Sequence, residues 1–217
     1  MSKGYIFDFN GTMFWDTEYH DEAWMAFSDK YGLNITKKYL REELHGKVNR
    51  EILKIVYDPA ISEAEATLLS EEKELIYRQI VHRLGHKIQL APGVQKVLNK
   101  LKKKKTPMAI ATSSPKVNVD FYKVFFNLTK WFPENLIIYD DGSFSGKPAP
   151  DIFLLAAERL NLDPSDCIVV EDSITGIKSA RAAGVGHIYL VSSGNHLAWD
   201  RSDTFVEVIE DFNHFIT

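Results

Sequence analysis

Cysteine is almost absent: Cys167 alone occurs in 217 residues, so no disulfide can form within the chain. It directly precedes the apolar run Ile168-Val169-Val170, and no cationic cluster lies beside it in sequence. A small buried residue is expected there, not an activated thiol. A strong charge of one sign is also missing. The net charge is -4, which argues against general nucleic-acid affinity, since that needs a basic stripe. Four consecutive lysines at 102–105 close an apparent helix, where cations suit the negative end of the helix dipole. No apolar run is long enough to span a bilayer, and the N-terminus lacks the apolar core of a signal peptide. The expectation is a cytoplasmic monomer with no nucleic-acid or membrane partner.

The remainder has an ordinary globular balance, 45% apolar and 26% charged. Four apolar runs read as buried strands, each ending in polar residues. Tyr5-Ile6-Phe7 stops at Asp8, and Met108-Ala109-Ile110-Ala111 at Thr112. Ile168-Val169-Val170 stops at Glu171 and Asp172, and Ile188-Tyr189-Leu190-Val191 at Ser192. Near-continuous apolarity suits strands covered on both faces. Helical patterns at 94–101, 152–160 and 174–183 separate them, the last closed by Gly184. This alternation predicts an α/β fold, a doubly wound parallel sheet whose site gathers at the carboxyl ends of its strands.

A simple crossover cannot fill the gap between the first two strands. Residues 18–30, 39–44, 50–56 and 64–84 have helical character, and Ala91-Pro92-Gly93 marks the return to the α/β pattern. The expected organisation is a core of residues 1–14 and 91–217 with an inserted α-helical cap at 15–90.

Phe7-Asp8-Phe9-Asn10-Gly11-Thr12 carries the strongest chemical signal. A carboxylate at the end of a buried strand, followed by a turn, can be a nucleophile or a metal ligand. Asp and Asn are equally at home as plain turn formers. The rest of the chain favours chemistry. Thr112 and Ser113 follow the second strand, Lys147 lies in Gly146-Lys147-Pro148, and Glu171-Asp172 follows another strand. Singly, Thr112, Ser113 or Ser114 can cap a helix, Lys147 can be a loop lysine, and Glu171-Asp172 a helix-entry pair. Four such coincidences in order are a poor explanation.

In these four regions the chain resembles the haloacid dehalogenase superfamily, and within it the β-phosphoglucomutase-like phosphatases with a helical cap. The matching stretches are 8–12, 112–114, 147–150 and 171–176. The resemblance implies that Asp8 attacks a phosphate ester to give an aspartyl-phosphate. It also implies a Mg²⁺ held by Asp8, Asp172 and the backbone carbonyl of Asn10, with Glu171 acting through water. Thr112, with Ser113 and Ser114, would bind the phosphoryl oxygens, and Lys147 would offset charge.

Position 10 departs from the pattern. The family's phosphatases and mutases usually carry Asp there as general acid and base, and an amide cannot move that proton. An engineered substitution, a substrate with a good leaving group, or lost catalysis each account for Asn10. In the cap, Thr17-Glu18-Tyr19-His20 resembles the mutase's opening helix, where the His helps control the general acid. Residues 45–50 resemble its substrate-specificity loop, with Gly46, Lys47, Asn49 and Arg50 near substrate and Lys73 matching a cap lysine. Asn49 stands where the mutase has a phosphate-binding Arg, which counts against mutase chemistry. The expected function is therefore hydrolysis of a small phosphorylated metabolite. A hexose-phosphate mutase and a phosphometabolite-binding protein with weakened turnover are the alternatives.

Overall fold

In the computed structural model, residues 3–44, 47–192 and 204–215 are described. The chain divides into two compact units. One comprises the residues up to Trp15 and those from Gln89 on, and the other runs from Asp16 to Ile88.

The first unit is built on six parallel strands: β1 (Gly4–Phe7), β2 (Met108–Pro115), β3 (Ile137–Asp140), β4 (Cys167–Glu171), β5 (His187–Val191) and β6 (Val206–Ile209). Their spatial order is β3-β2-β1-β4-β5-β6. The chain thus builds outward from β1 on one side and then returns to β1's other flank. Parallel strands buried on both faces explain the unbroken apolar runs. Ile6 of β1 and Val169 of β4 point to one face, into a cluster with Ile152, Phe153, Ala156, Ile177 and Ala180. Those five residues lie on α7 (Asp151–Arg159) and α8 (Ile174–Ala182). With a side-chain period of two, Tyr5 and Phe7 face the other way. There Phe7 meets Phe132 at 6.3 Å and Phe212 at 6.4 Å, and Tyr5 meets Phe215 at 5.8 Å. Among the described residues of this unit, the other α-helices are α5 (Val94–Lys103) and α6 (Lys116–Phe125). Gly184 closes the turn after α8 with φ of 73°, which a residue without Cβ adopts freely.

The second unit is helical: α1 (Thr17–Tyr31), the short α2 (Lys37–Tyr39) running into a π turn (Leu40–Leu44), α3 (Asn49–Val56) and α4 (Glu63–Leu84). Its core is Trp24, Phe27, Leu40, Leu44, Ile52, Leu53, Ala66 and Leu69 with their neighbours. Ser62 caps α4 by accepting from the Glu65 amide at 3.2 Å, satisfying one orphan donor of the first turn. Among the described residues no helix is long and apolar enough to cross a membrane.

Strands β3 and β6, and helix α6, are additions to the sequence expectation. Both strands are sheet edges only four residues long. β6 is buried at its two ends and open at Glu207 and Val208 between them, so it lacks the continuous apolarity of the central strands.

Candidate active site

Asp8 leaves the carboxyl end of central strand β1, its amide donating to Val170 O of β4 at 2.9 Å. The main chain therefore fixes where its side chain begins. Lys147 Nζ donates to Asp8 Oδ1 and to Glu171 Oε1, both at 2.7 Å. Glu171 is itself held. Its Oε2 accepts from the amides of Asp172 (2.8 Å) and Ser173 (2.7 Å) and from Ser173 Oγ (2.9 Å). Ser173 Oγ also accepts from the Gly176 amide at 2.9 Å and so caps α8. A Cβ at Gly176 would lie 1.8 Å from Glu171 Oε1, so a bare backbone is needed for the carboxylate to pack there.

Asp8, Glu171 and Asp172 each offer a carboxylate oxygen within 4.8 Å of the others. Thr12 Oγ1 donates to Asp172 Oδ1 at 3.0 Å. Gly11 has φ of 78°, and a Cβ there would stand 2.1 Å from Asp172 Oδ2. Electrostatics reflect the crowding. Burial pushes Asp8 up to about 7; the Lys147 charge opposes this and Glu171 adds to it. Asp172 is raised well above the ordinary carboxylate value by burial, then by Glu171 and Asp8. Lys147 is raised too: burial disfavours its charge, but its two carboxylate partners more than offset that. One ammonium thus faces two buried carboxylates and a half-buried third. A donor set of crowded hard oxygens, short of positive charge, fits a divalent cation.

Position 10 is fully engaged. Asn10 Oδ1 accepts from Ser114 Oγ at 2.7 Å and Thr112 Oγ1 at 3.2 Å, while Nδ2 donates to the Tyr122 hydroxyl at 2.9 Å. The register between β2 and β3 shifts between Thr112 and Pro115. Such a bulge re-aims side chains, and the Ser114 amide donates to Thr112 Oγ1 at 3.1 Å across it.

The structure therefore gathers Asp8, Asn10, Thr112, Ser114, Lys147, Glu171 and Asp172 at the carboxyl ends of β1, β2 and β4. Ser113 belongs to the same bulge but is exposed and makes none of these bonds. In the helical unit, His20, Asn49 and Lys73 meet in a second cluster. Lys73 Nζ is 2.7 Å from His20 Nδ1 and 2.9 Å from Glu74 Oε1, and Asn49 Nδ2 donates to Glu74 Oε1 at 2.7 Å. His20 stacks on Tyr77 at 3.9 Å, and Tyr77 donates to Asp16 Oδ2 at 2.6 Å. Lys47 and Arg50 are exposed, and Arg50 lies 3.6 Å from Glu63. Gly46 lies outside the described residues. Cys167 is buried, and burial pushes its thiol up to about 11, unlike an activated nucleophile.

Sequence reasoning missed Thr12, Tyr122, Ser173 and Glu74. Ser173 was readable as a helix cap ahead of the 174–183 pattern, and Thr12 as part of the first motif. Nothing in the sequence connects Tyr122 to Asn10 across 112 positions.

Comparison with known proteins places the chain in a family. The model of the haloacid dehalogenase-like hydrolase family matches residues 2–184. The chain belongs to this family. Among its relatives is a phosphorylated carbohydrates phosphatase of Thermotoga maritima, 31% identical over 85% of this chain and 82% of that protein. A β-phosphoglucomutase of Bacillus subtilis is 28% identical over 84% of this chain and 80% of its own. A crystal structure of a family IA, variant 3 hydrolase from Entamoeba histolytica covers 99% of this chain and 95% of its own. It superposes with a TM-score of 0.90 at 32% identity. The parallel sheet with its inserted helical cap is the family's fold.

Proposed function

We propose that the protein is a phosphatase of small phosphorylated carbohydrates, acting through an aspartyl-phosphate on Asp8. The observation that carries this reading is the setting of Asp8, held by Lys147 on one oxygen and grouped with Glu171 and Asp172. A nucleophilic carboxylate must approach a dianion, and positive charge on that side lowers the barrier. Lys147 supplies one such charge. Asp8 and Asp172, with the main-chain carbonyl of Asn10, would hold Mg²⁺, which when bound neutralises phosphoryl charge and orients the group. Both Glu171 oxygens are engaged by protein donors, so in this reading it serves chiefly to hold Lys147. Thr112 and Ser114 would donate to phosphoryl oxygens. By resemblance, His20, Lys47, Asn49, Arg50 and Lys73 of the helical unit, and Ser113 of β2, are the residues proposed to select the substrate.

The relatives' names support a sugar-phosphate substrate. Mutase activity is disfavoured because Asn49, in place of the mutase's Arg, is committed to a carboxylate, Glu74. A second reading, a phosphometabolite-binding protein with weakened turnover, is favoured by the amide at position 10. The test is phosphate release from a panel of phosphorylated sugars and sugar alcohols with Mg²⁺, run beside Asp8→Asn. Release that Asp8→Asn abolishes is expected. Tight binding of the panel without release would favour the second reading.

A further inference from the structure

Thr112 and Ser114 each have one hydroxyl proton, and both protons are directed at the same atom, Asn10 Oδ1. The amide is anchored from behind, its Nδ2 donating to the Tyr122 hydroxyl at 2.9 Å. Tyr122 is itself packed in the core: it is 1% exposed and its ring stacks on Phe9 at 4.7 Å and 28°. Thr112 Oγ1 also accepts from the Ser114 amide, which restricts the directions left to its own proton.

We propose that Tyr122 is a positioning residue for the phosphoryl site, holding the Asn10 amide oxygen as an internal acceptor for the two hydroxyls. This rests on the reading of Thr112 and Ser114 as phosphoryl-binding donors. A hydroxyl that donates to Asn10 cannot donate the same proton to a phosphoryl oxygen, so an arriving phosphate must draw both protons away. The anion is the stronger acceptor, being charged where the amide is neutral. The exchange therefore proceeds, but binding forfeits two bonds the empty site already has. The same contacts keep buried donors satisfied between turnovers. Tyr122 acts only through Asn10 and need not touch the substrate.

The test is isothermal titration with inorganic phosphate in the presence of Mg²⁺, on the unmodified protein, Tyr122→Phe and Asn10→Ala. Phe keeps the ring stacked on Phe9 and removes the hydroxyl that accepts from Nδ2, so the amide can swing away from the hydroxyls of Thr112 and Ser114. Ala removes the competing acceptor outright and keeps the main chain. Phosphate should bind both variants more tightly, by at least about 2- to 10-fold, the worth of one of the two neutral hydrogen bonds no longer given up. Packing damage alone would weaken binding, so a gain of affinity separates positioning from a merely structural role. If phosphate binds the unmodified protein but both variants bind it equally or more weakly, this inference fails while the phosphatase reading stands. If phosphate binds none of the three, the phosphoryl-site reading fails and this one falls with it.

Discussion

Lys147 Nζ is shared between Asp8 and Glu171 at 2.7 Å each, so one lysine holds the proposed nucleophile and its neighbouring carboxylate together. All three side chains are at least nine-tenths buried. Removing a buried partner leaves uncompensated charge and typically costs about 3–5 kcal/mol. Lys147→Met should destabilise the metal-free protein by that order at pH 8, read from chemical denaturation. The loss should shrink at pH 5, below the Asp8 value of about 7, where the protonated Asp8 carboxyl no longer needs a counter-charge. A variant as stable as the parent at pH 8 would show that the pairing is dispensable.

Asp8 and Asp172 both hold their protons more tightly folded than unfolded, Asp8 to about 7 and Asp172 well above 3.8. Proton binding is then linked to folding. Their contribution is fully present below the unfolded pKa and is lost as pH rises through the folded one. Metal-free stability should therefore fall between roughly pH 4 and pH 8 at these groups. Asp172→Asn should raise the metal-free melting temperature at pH 8 and abolish the further rise that Mg²⁺ gives the parent. Because ligands must lose protons to bind metal, Mg²⁺ affinity by titration should drop as pH falls below 7. Affinity independent of pH, or retained in Asp172→Asn, would put the cation elsewhere.

Much of the site was legible because its residues end strands whose apolar runs are unmistakable. Asp8, Thr112 and Glu171 each mark the point where a buried apolar run gives way to polar residues toward the sheet's carboxyl edge. Lys147 was legible only through resemblance, since its loop has no periodic signal. Tyr122 was hidden because helix α6 looks like surface packing and its link to Asn10 is tertiary. The edge strands were hidden for a different reason. With a neighbour on only one side, β6 keeps polar Glu207 in its middle, and the run is too short to stand out. In the helical unit, Asn49 was read against a family position, while its actual partner, Glu74, lies 25 residues away.

Asn49 bears on mutase chemistry. In the Asn10→Asp background, which restores a carboxylate at position 10, we expect no detectable conversion of β-glucose 1-phosphate to glucose 6-phosphate. A coupled assay for glucose 6-phosphate checks this. Efficient conversion would overturn the preference for hydrolysis.

Asn10 itself should limit turnover on poor leaving groups. A placed general acid or base is worth about 10²- to 10⁴-fold. Asn10→Asp meets the same three hydroxyls, which hydrogen-bond a carboxylate as well as an amide. We expect kcat on alkyl phosphates to rise at least about tenfold, with KM little changed. On p-nitrophenyl phosphate, whose leaving group departs with little proton help, the rise should be much smaller. Equal responses on both substrates would show that position 10 has no part in protonating the leaving group.

The same amide allows the most direct measurement. In the proposed mechanism an activated ester needs no proton from position 10 to phosphorylate Asp8, whereas an amide there provides no base for the water that would attack the aspartyl-phosphate. Rapid mixing with p-nitrophenyl phosphate and Mg²⁺ should give a burst of nitrophenolate equal to the enzyme present, followed by slow turnover. Acid quenching within the burst and mass analysis of peptides should find one phosphoryl group on the peptide carrying Asp8, and none in Asp8→Asn. Turnover that persists in Asp8→Asn, or a phosphoryl group on any other residue, would contradict Asp8 as the nucleophile.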